Sequence, residues 1–336
     1  MTTMLHVGRK GFEAFLAKEA GSALAKGPGW VLSRAQESGL CFAHLSLIEP
    51  VELRADTVNA LAGKVADYFL ETSRNERYEA AWPLCFEAAG HAGLGSRCRK
   101  VEEVFREKTS RMARVMKLAQ RGRPGPGPSR GLFVCLVDFK RAFASRSAWS
   151  GGQRRMADDP QAPSRSFLKA EEAYLVLGES PQPGETVVDL GASPGGWSYS
   201  AARRGALVIA VDNGPLKGGA AGHPLIEARA EDAFKFQPSG RSDWLFCDLI
   251  DEPRKVMELL RLWVEAAWCR RFIVNLKFGR HDPLPLLREA LSPETGIAPR
   301  CKVMKARHLY HDREELTLTG VLRETGEGGL TESRDF

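Results

Sequence analysis

The sequence predicts an α/β protein in which a basic N-terminal α/β region precedes a doubly wound, mostly parallel sheet ending in an antiparallel strand. Three observations lead there. Past residue 165, apolar runs at 186–190, 206–211, 243–248 and 272–276 alternate with helical stretches at 166–178, 195–204, 253–270 and 283–291. The first of these strands runs straight into a glycine-rich turn, "DLGASPGGW", Asp189 to Trp197, and then into a helix. The last two apolar segments, "CKVMKARHLY" and "EELTLTGVL", have no helix between them, so they read as an antiparallel pair closing the sheet.

Taken in order, the first half opens with a short strand, Leu5 to Val7, a turn through Gly8 and Gly11, and a helix from Phe12 to Ala20. Trp30 to Ile48 is strand material, with "CFAHLSLI" its best piece, and 57–70 fits a helix. From Arg97 to Arg130 the chain carries eight arginines and three lysines against three glutamates, with Val101, Val104, Met112, Val115 and Leu118 at helical spacing. "RGRPGPGPSRG" stops that helix, "LFVCLVDF" is a buried strand, and "KRAFASRSAWSGGQRRMADDPQAP" reads as an irregular basic stretch leading to a domain boundary. Trp149, in a Ser/Gly-rich setting, is the better candidate for stacking on a base, whereas Phe133 and Phe143 read as core. The last dozen residues are polar and expected to fray.

Composition bounds the function. Hydrophobic residues make up 43% and charged residues 27%, an ordinary globular balance, and the formal charge of +6 mildly favours a polyanionic partner. The seven cysteines form no CxxC pair, which argues against a zinc ribbon or an iron–sulfur cluster and suits a reducing compartment. There is no signal-peptide pattern and no stretch of 18 uncharged apolar residues, so the expectation is a cytoplasmic protein without a membrane partner.

The glycine turn is neither GxGxxG nor GxxxxGK[ST], so nothing in it demands a pyrophosphate. Asp212 ends the next strand, where a carboxylate can accept from both hydroxyls of a ribose; Asp232 follows the third strand and can meet an adenine edge; Asp248 ends "DWLFCD". Each also has a plain reading, Asp212 and Asp232 as caps of their own turns. Together the acids favour a nucleoside bearing a cationic sulfonium, S-adenosylmethionine. Lys277 terminates the core strand "FIVNL" at that same edge, and Lys169 sits in the helix ahead of the first sheet strand. Two lysines around one carboxylate allow one ammonium to hold the other as a free amine, able to take a proton from a ribose hydroxyl. Glu314 and Glu315 face apart on the last strand, so one of them faces the site.

"DLGASPGGWSYS", "VDNGPL", "EDAFKFQP", "NLKF" and "LYHDREELTLTG", in that order, resemble the bacterial large-subunit ribosomal RNA cytidine 2'-O-ribose methyltransferases, and "DPQAPSRSFLKAEEAY" resembles the segment entering their catalytic domain. The resemblance implies a small N-terminal α/β subdomain over 1–50, a THUMP-like RNA-binding region over 51–155 and a class I, Rossmann-like S-adenosylmethionine-dependent methyltransferase domain over 156–336. It implies a catalytic set of Lys169, Asp248, Lys277 and Glu315, with Lys277 as proton acceptor, and cofactor contacts from Ser166, Ser193, Pro194, Gly195, Gly196, Asp212, Asp232 and Asp248. It further implies action on a cytidine in the peptidyl-transferase loop of 23S rRNA; a mature interior is hard to reach, so action before the large subunit is fully assembled is expected, no metal is required because a sulfonium is already a good leaving group, and the oligomeric state is left open, with a monomer slightly favoured. Ser193 stands where the family often has cysteine, and the N-terminal half matches more weakly and is shorter. The competing readings are a methyltransferase acting on another RNA and a non-catalytic RNA-binding assembly factor. "DLIDEP" lacks the [DN]-P-P-[FY] turn of amino methylation.

Overall fold

A computed structural model of the chain describes residues 2–35 and 39–324; the polar last dozen residues lie outside them. The chain divides into two compact units at Gly152–Gln153.

The first unit runs β1 (Thr2–Gly8), α1 (Glu13–Ala20), β2 (Ala23–Gly27), β3 (Trp30–Ala35), β4 (Ala43–Ile48), β5 (Val51–Arg54), α2 (Val58–Ser73), β6 (Trp82–Ala88), α3 (Leu94–Lys108), α4 (Ala113–Lys117), β7 (Ala119–Arg121), β8 (Gly127–Leu136) and β9 (Arg141–Ser150). Its strands form one sheet in the order β2-β3-β1-β4-β9-β8-β6-β7, with β5 also on β9. Because β4 pairs with β9, residues 1–50 and 51–152 share this sheet. α2 begins at Thr57, whose hydroxyl accepts from the Ala60 N–H at 3.1 Å, and its apolar stripe packs with α3 over Trp82, Leu132 and Val134.

Two expectations fail here for identifiable reasons. The stretch read as irregular contains β9, a central strand buried along most of its length. Its alternation is hidden because alanines and serines occupy many of its positions; they suit a strand flanked by neighbours on both sides, but they carry little hydrophobic signal. Trp149 therefore lies in a sheet, opposite Ser46 and Pro128, and not in a loop. The basic segment is likewise not one helix. α3 stops at Lys108, where the Thr109 hydroxyl donates back to the Phe105 carbonyl at 2.8 Å, and α4 resumes after a tight turn. The apolar face still packs as the spacing requires, with Val101 in the core and Val104, Met112, Val115 and Leu118 against it.

The second unit contains α5 (Phe167–Leu177), β10 (Thr186–Leu190), α6 (Gly196–Ala202), β11 (Leu207–Val211), β12 (Ile226–Arg229), β13 (Ser242–Cys247), α7 (Pro253–Glu265), β14 (Cys269–Lys277), α8 (Leu284–Leu291), β15 (Cys301–Arg307) and β16 (Glu315–Leu322). The sheet order is β12-β11-β10-β13-β14-β16-β15, parallel through β14, with β16 antiparallel to both β14 and β15. Apolar strands such as Val187–Leu190 and Phe272–Leu276 are buried, as a sheet covered on both faces requires. The strand order reverses between β10 and β13. Ligands of open α/β sheets bind beyond the carboxyl ends of the strands at such a reversal.

Candidate active site

A cleft of about 380 Å³ lies at that reversal, lined by Ser166, Asp189, the Gly191–Pro194 loop, Asp212, Asp248 and Lys277 among others. The loop has to carry glycine. Gly191 has φ +76° and a Cβ there would come within 2.8 Å of Leu249; Gly195 has φ +107° and a Cβ would come within 2.5 Å of Ala220. At Gly196 a Cβ would lie 2.6 Å from the Ser166 hydroxyl. The backbone of Gly191–Pro194 thus lines the cleft, whereas Gly195 and Gly196, expected as cofactor contacts, are buried against Ala220 and Ser166 and are not among the residues lining it.

The acids are held differently. Asp212 accepts the Ser193 N–H at 3.1 Å on one oxygen and the Gly214 N–H at 2.7 Å on the other. It caps its own turn and still has lone pairs for a ligand, since a carboxylate offers about four acceptor positions. Asp232 accepts the Phe234 N–H at 3.0 Å and lies 3.6 Å from the Lys235 ammonium; it is half exposed and is not among the residues lining the cleft. Asp189, at the end of β10, is buried. One of its oxygens accepts from the Ser198 hydroxyl at 2.6 Å, and the other, Oδ1, has no partner within the protein. Burial, helped by the charges of Asp248 and Asp212 and opposed by the Ser198 bonds, pushes its carboxyl up to about 7.

Four charged side chains meet at the cleft edge. Lys277 Nζ donates to Asp248 Oδ1 at 2.6 Å, to the Asp248 carbonyl at 2.6 Å and to the Leu249 carbonyl at 3.1 Å. Three acceptors match the three N–H bonds of an ammonium; the free amine has two, which leaves a lone pair. Lys169 Nζ lies 2.7 Å from Glu315 Oε1 and 3.7 Å from Asp248 Oδ1. Burial works against the Lys169 charge, but Asp248, Glu315 and Asp312 outweigh it and leave the ammonium above its usual range. Lys169 is therefore the permanent cation of the pair. The acid facing this cluster is Glu315; the Glu314 backbone carbonyl instead accepts the Phe278 and Gly279 N–H groups.

Sequence reading missed several members. Asn275 Nδ2 donates to Asp248 Oδ1 at 3.1 Å, and the Thr317 hydroxyl donates to Asn275 Oδ1 at 2.5 Å. Asp189 and Ser164 also line the cleft, and only the position of Asp189 in "DLGASPGGW" hinted at it. All seven cysteines are free and buried, and burial pushes the Cys247 thiol up to about 12, which disfavours it as a nucleophile. Among the described residues no group of three His, Cys, Asp or Glu side chains could hold a metal ion, and no helix is long and apolar enough to cross a membrane.

S-adenosylmethionine fits this cleft on two observations: Asp212 is fixed by the backbone with acceptor capacity to spare, and Asp189, which lines the cleft, keeps one carboxyl oxygen without a partner in the protein at a site that would receive a cation. Residues 162–252 match the FtsJ-like methyltransferase family model. Fold, cleft and match define a Rossmann-like, S-adenosylmethionine-dependent methyltransferase. Over 92% of its length the chain is 35% identical to 94% of a ribosomal RNA large subunit methyltransferase M from Halorhodospira halophila. The proteins of that name from Xanthomonas oryzae, 30% identical over 93% of this chain and 88% of theirs, and from Laribacter hongkongensis, 40% identical over 60% of this chain and 62% of its own, agree. The chain belongs to the ribosomal RNA large subunit methyltransferase M family.

Proposed function

We propose that the protein transfers a methyl group from S-adenosylmethionine to the ribose 2'-hydroxyl of a cytidine in the peptidyl-transferase loop of 23S rRNA, before the large subunit is fully assembled. The observation that carries this is the Lys169–Asp248–Lys277–Glu315 cluster at the mouth of the cofactor cleft. When bound, S-adenosylmethionine supplies a methyl on a sulfonium, already a good leaving group, so the protein's task is to take a proton and align the nucleophile.

Lys277 does both. It lines the donor cleft and also a second cleft of about 710 Å³, whose walls include Phe278, Arg280 and His281, so a nucleotide entering there brings its ribose to the amine. Asp248 orients Nζ. Lys169, held by Asp248 and Glu315, stands by the same carboxylate as a fixed cation, and Lys277 acts as the base that would take the 2'-hydroxyl proton and leave the oxygen aligned for transfer. Ser166, the Ser193–Gly196 loop and Asp212 would hold the nucleoside, and the Asp189 carboxyl would suit its cationic group. Mass-spectrometric mapping of ribose methylation on ribosomal RNA from cells with and without the gene tests the reading: one cytidine should lose its mark, and an unchanged map would sink it.

A pH signature follows from Asp189. A bound cation favours its ionised form, so binding releases a proton below pH 7 and affinity for S-adenosylmethionine should rise with pH up to about 7 and then level. Calorimetry from pH 5.5 to 8 should show that rise in the wild type and a weak, flat response in Asp189→Asn.

For RNA capture, we read the first unit as the THUMP-like partner. Arg106, Lys108, Arg111, Arg114 and Lys117 are exposed, whereas Arg123 pairs with Glu87 and Arg146 with Glu76 inside the fold. Binding to a 23S rRNA fragment should weaken by about tenfold or more between 50 and 200 mM salt, and a flat salt response would exclude phosphate contacts as its source.

A further inference from the structure

We propose that Asn275, Thr317 and Asp312 form a buried chain of hydrogen bonds that fixes the direction of the Asp248 carboxylate and, through it, the Lys277 amine, an inference resting on the transfer chemistry proposed above. The antiparallel register of β14 and β16 sets Asn275 opposite Thr317 and Lys277 opposite Glu315. Residues two apart on a strand share a face, so these four side chains form a two-by-two block. The outer rung, Lys277 and Glu315, stands at the reaction site. The inner rung is out of solvent, Asn275 at 0% and Thr317 at 1% exposure.

Asp248 Oδ1 is where the two rungs converge, 2.6 Å from Lys277 Nζ and 3.1 Å from Asn275 Nδ2. An ionised carboxylate only accepts, so Asn275 turns its amide nitrogen toward Asp248 and its oxygen away. That oxygen takes the Thr317 hydroxyl hydrogen at 2.5 Å. The same hydroxyl lies 3.1 Å from Asp312 Oδ2, so it is held between the Asn275 amide oxygen and the Asp312 carboxyl. Side chains from β14, β16 and the loop before β16 are thereby linked in sequence: Asp312, Thr317, Asn275, Asp248.

Asp312 is buried as well, at 0% exposure. Burial raises its carboxyl well above the usual range, with Glu315 on β16 and Glu172 on α5 adding to the rise, against the Lys169 ammonium on α5 and the Leu309 N–H, which donates to it at 2.8 Å. Its carboxyl stands behind Thr317, and the reacting lysine stands on the far side of the Asp248 carboxylate. None of the three residues touches the donor cleft, so they are positioning residues.

Steady-state methylation of a 23S rRNA fragment, with calorimetry of S-adenosylmethionine binding, tests this. Thr317→Val is expected to lower kcat about tenfold or more while RNA KM and cofactor affinity stay within about twofold. Thr317→Ser, which keeps the hydroxyl, should restore kcat. A wild-type kcat in Thr317→Val, or a serine variant no better than valine, overturns the chain. If the valine protein is insoluble, Asn275→Leu breaks the same chain elsewhere, and wild-type kcat there overturns it equally. A Lys277→Ala protein that still methylates would instead overturn the transfer chemistry, whereas an inactive Lys277→Ala beside a fully active Thr317→Val overturns the chain alone.

Discussion

Lys277→Ala is expected to lower methyl transfer by about 10³-fold or more, within the range that a positioned general base contributes, while S-adenosylmethionine binding stays near wild type. Asp248 does not lose all its support in this variant, because Asn275 Nδ2 remains 3.1 Å from Oδ1 and Lys169 remains 3.7 Å from it, so the cleft should keep its shape. Lys277→Arg sharpens the test. It keeps the charge and length that a purely electrostatic role would need, but a guanidinium does not give up its proton in a protein. If the amine is the base, the arginine enzyme is as inactive as the alanine one. Single-turnover methylation with equilibrium cofactor binding measures both; an active arginine enzyme would remove Lys277 from its role, and cofactor affinity falling in step with activity would make it a binding residue instead.

Glu172→Ala is expected to cost about 3–5 kcal/mol of stability, the scale of leaving several buried polar groups without partners. Glu172 sits on α5 at 0% exposure. Its carboxyl oxygens accept the backbone N–H groups of Arg154 at 3.1 Å, Tyr310 at 2.7 Å and His311 at 3.1 Å. One side chain thereby ties the start of the second unit and the loop between β15 and β16 to the helix that carries Lys169. Without it three N–H groups lose their acceptor in a dry site, and the loop that presents Asp312 and Glu315 loosens. Thermal melting should show a large drop in Tm, and Glu172→Gln, which keeps one carbonyl acceptor, should recover part of it. A Tm within two degrees of wild type for Glu172→Ala would show that water or a neighbour satisfies those groups.

Much of the catalytic unit was readable in the chain. The alternation after residue 165, the lysine ending an apolar strand and the acids after β11 and β13 all depend on near neighbours, and backbone periodicity turns near neighbours into a shared edge. β9 was not readable, because alanine and serine suit a crowded central strand yet look like loop. The charge of the first half was only partly informative. Arg123 and Arg146 add to the sequence's basic total, but the fold uses them inside, on Glu87 and Glu76, with Arg146 also 5.0 Å over the Phe69 ring.

The local order of residues determined the strands, the glycine turn and which charged groups stand at strand ends, since each depends on a few consecutive positions. Only the folded chain decided which of two adjacent glutamates faces inward, that Asp232 caps its own turn away from the cleft lining, and that Asn275, Thr317 and Asp312 line up behind Asp248. The reason is distance along the chain: β14 and β16 pair residues 38 (Lys277 with Glu315) to 50 (Arg271 with Val321) positions apart, and no short stretch of sequence records the register in which they meet.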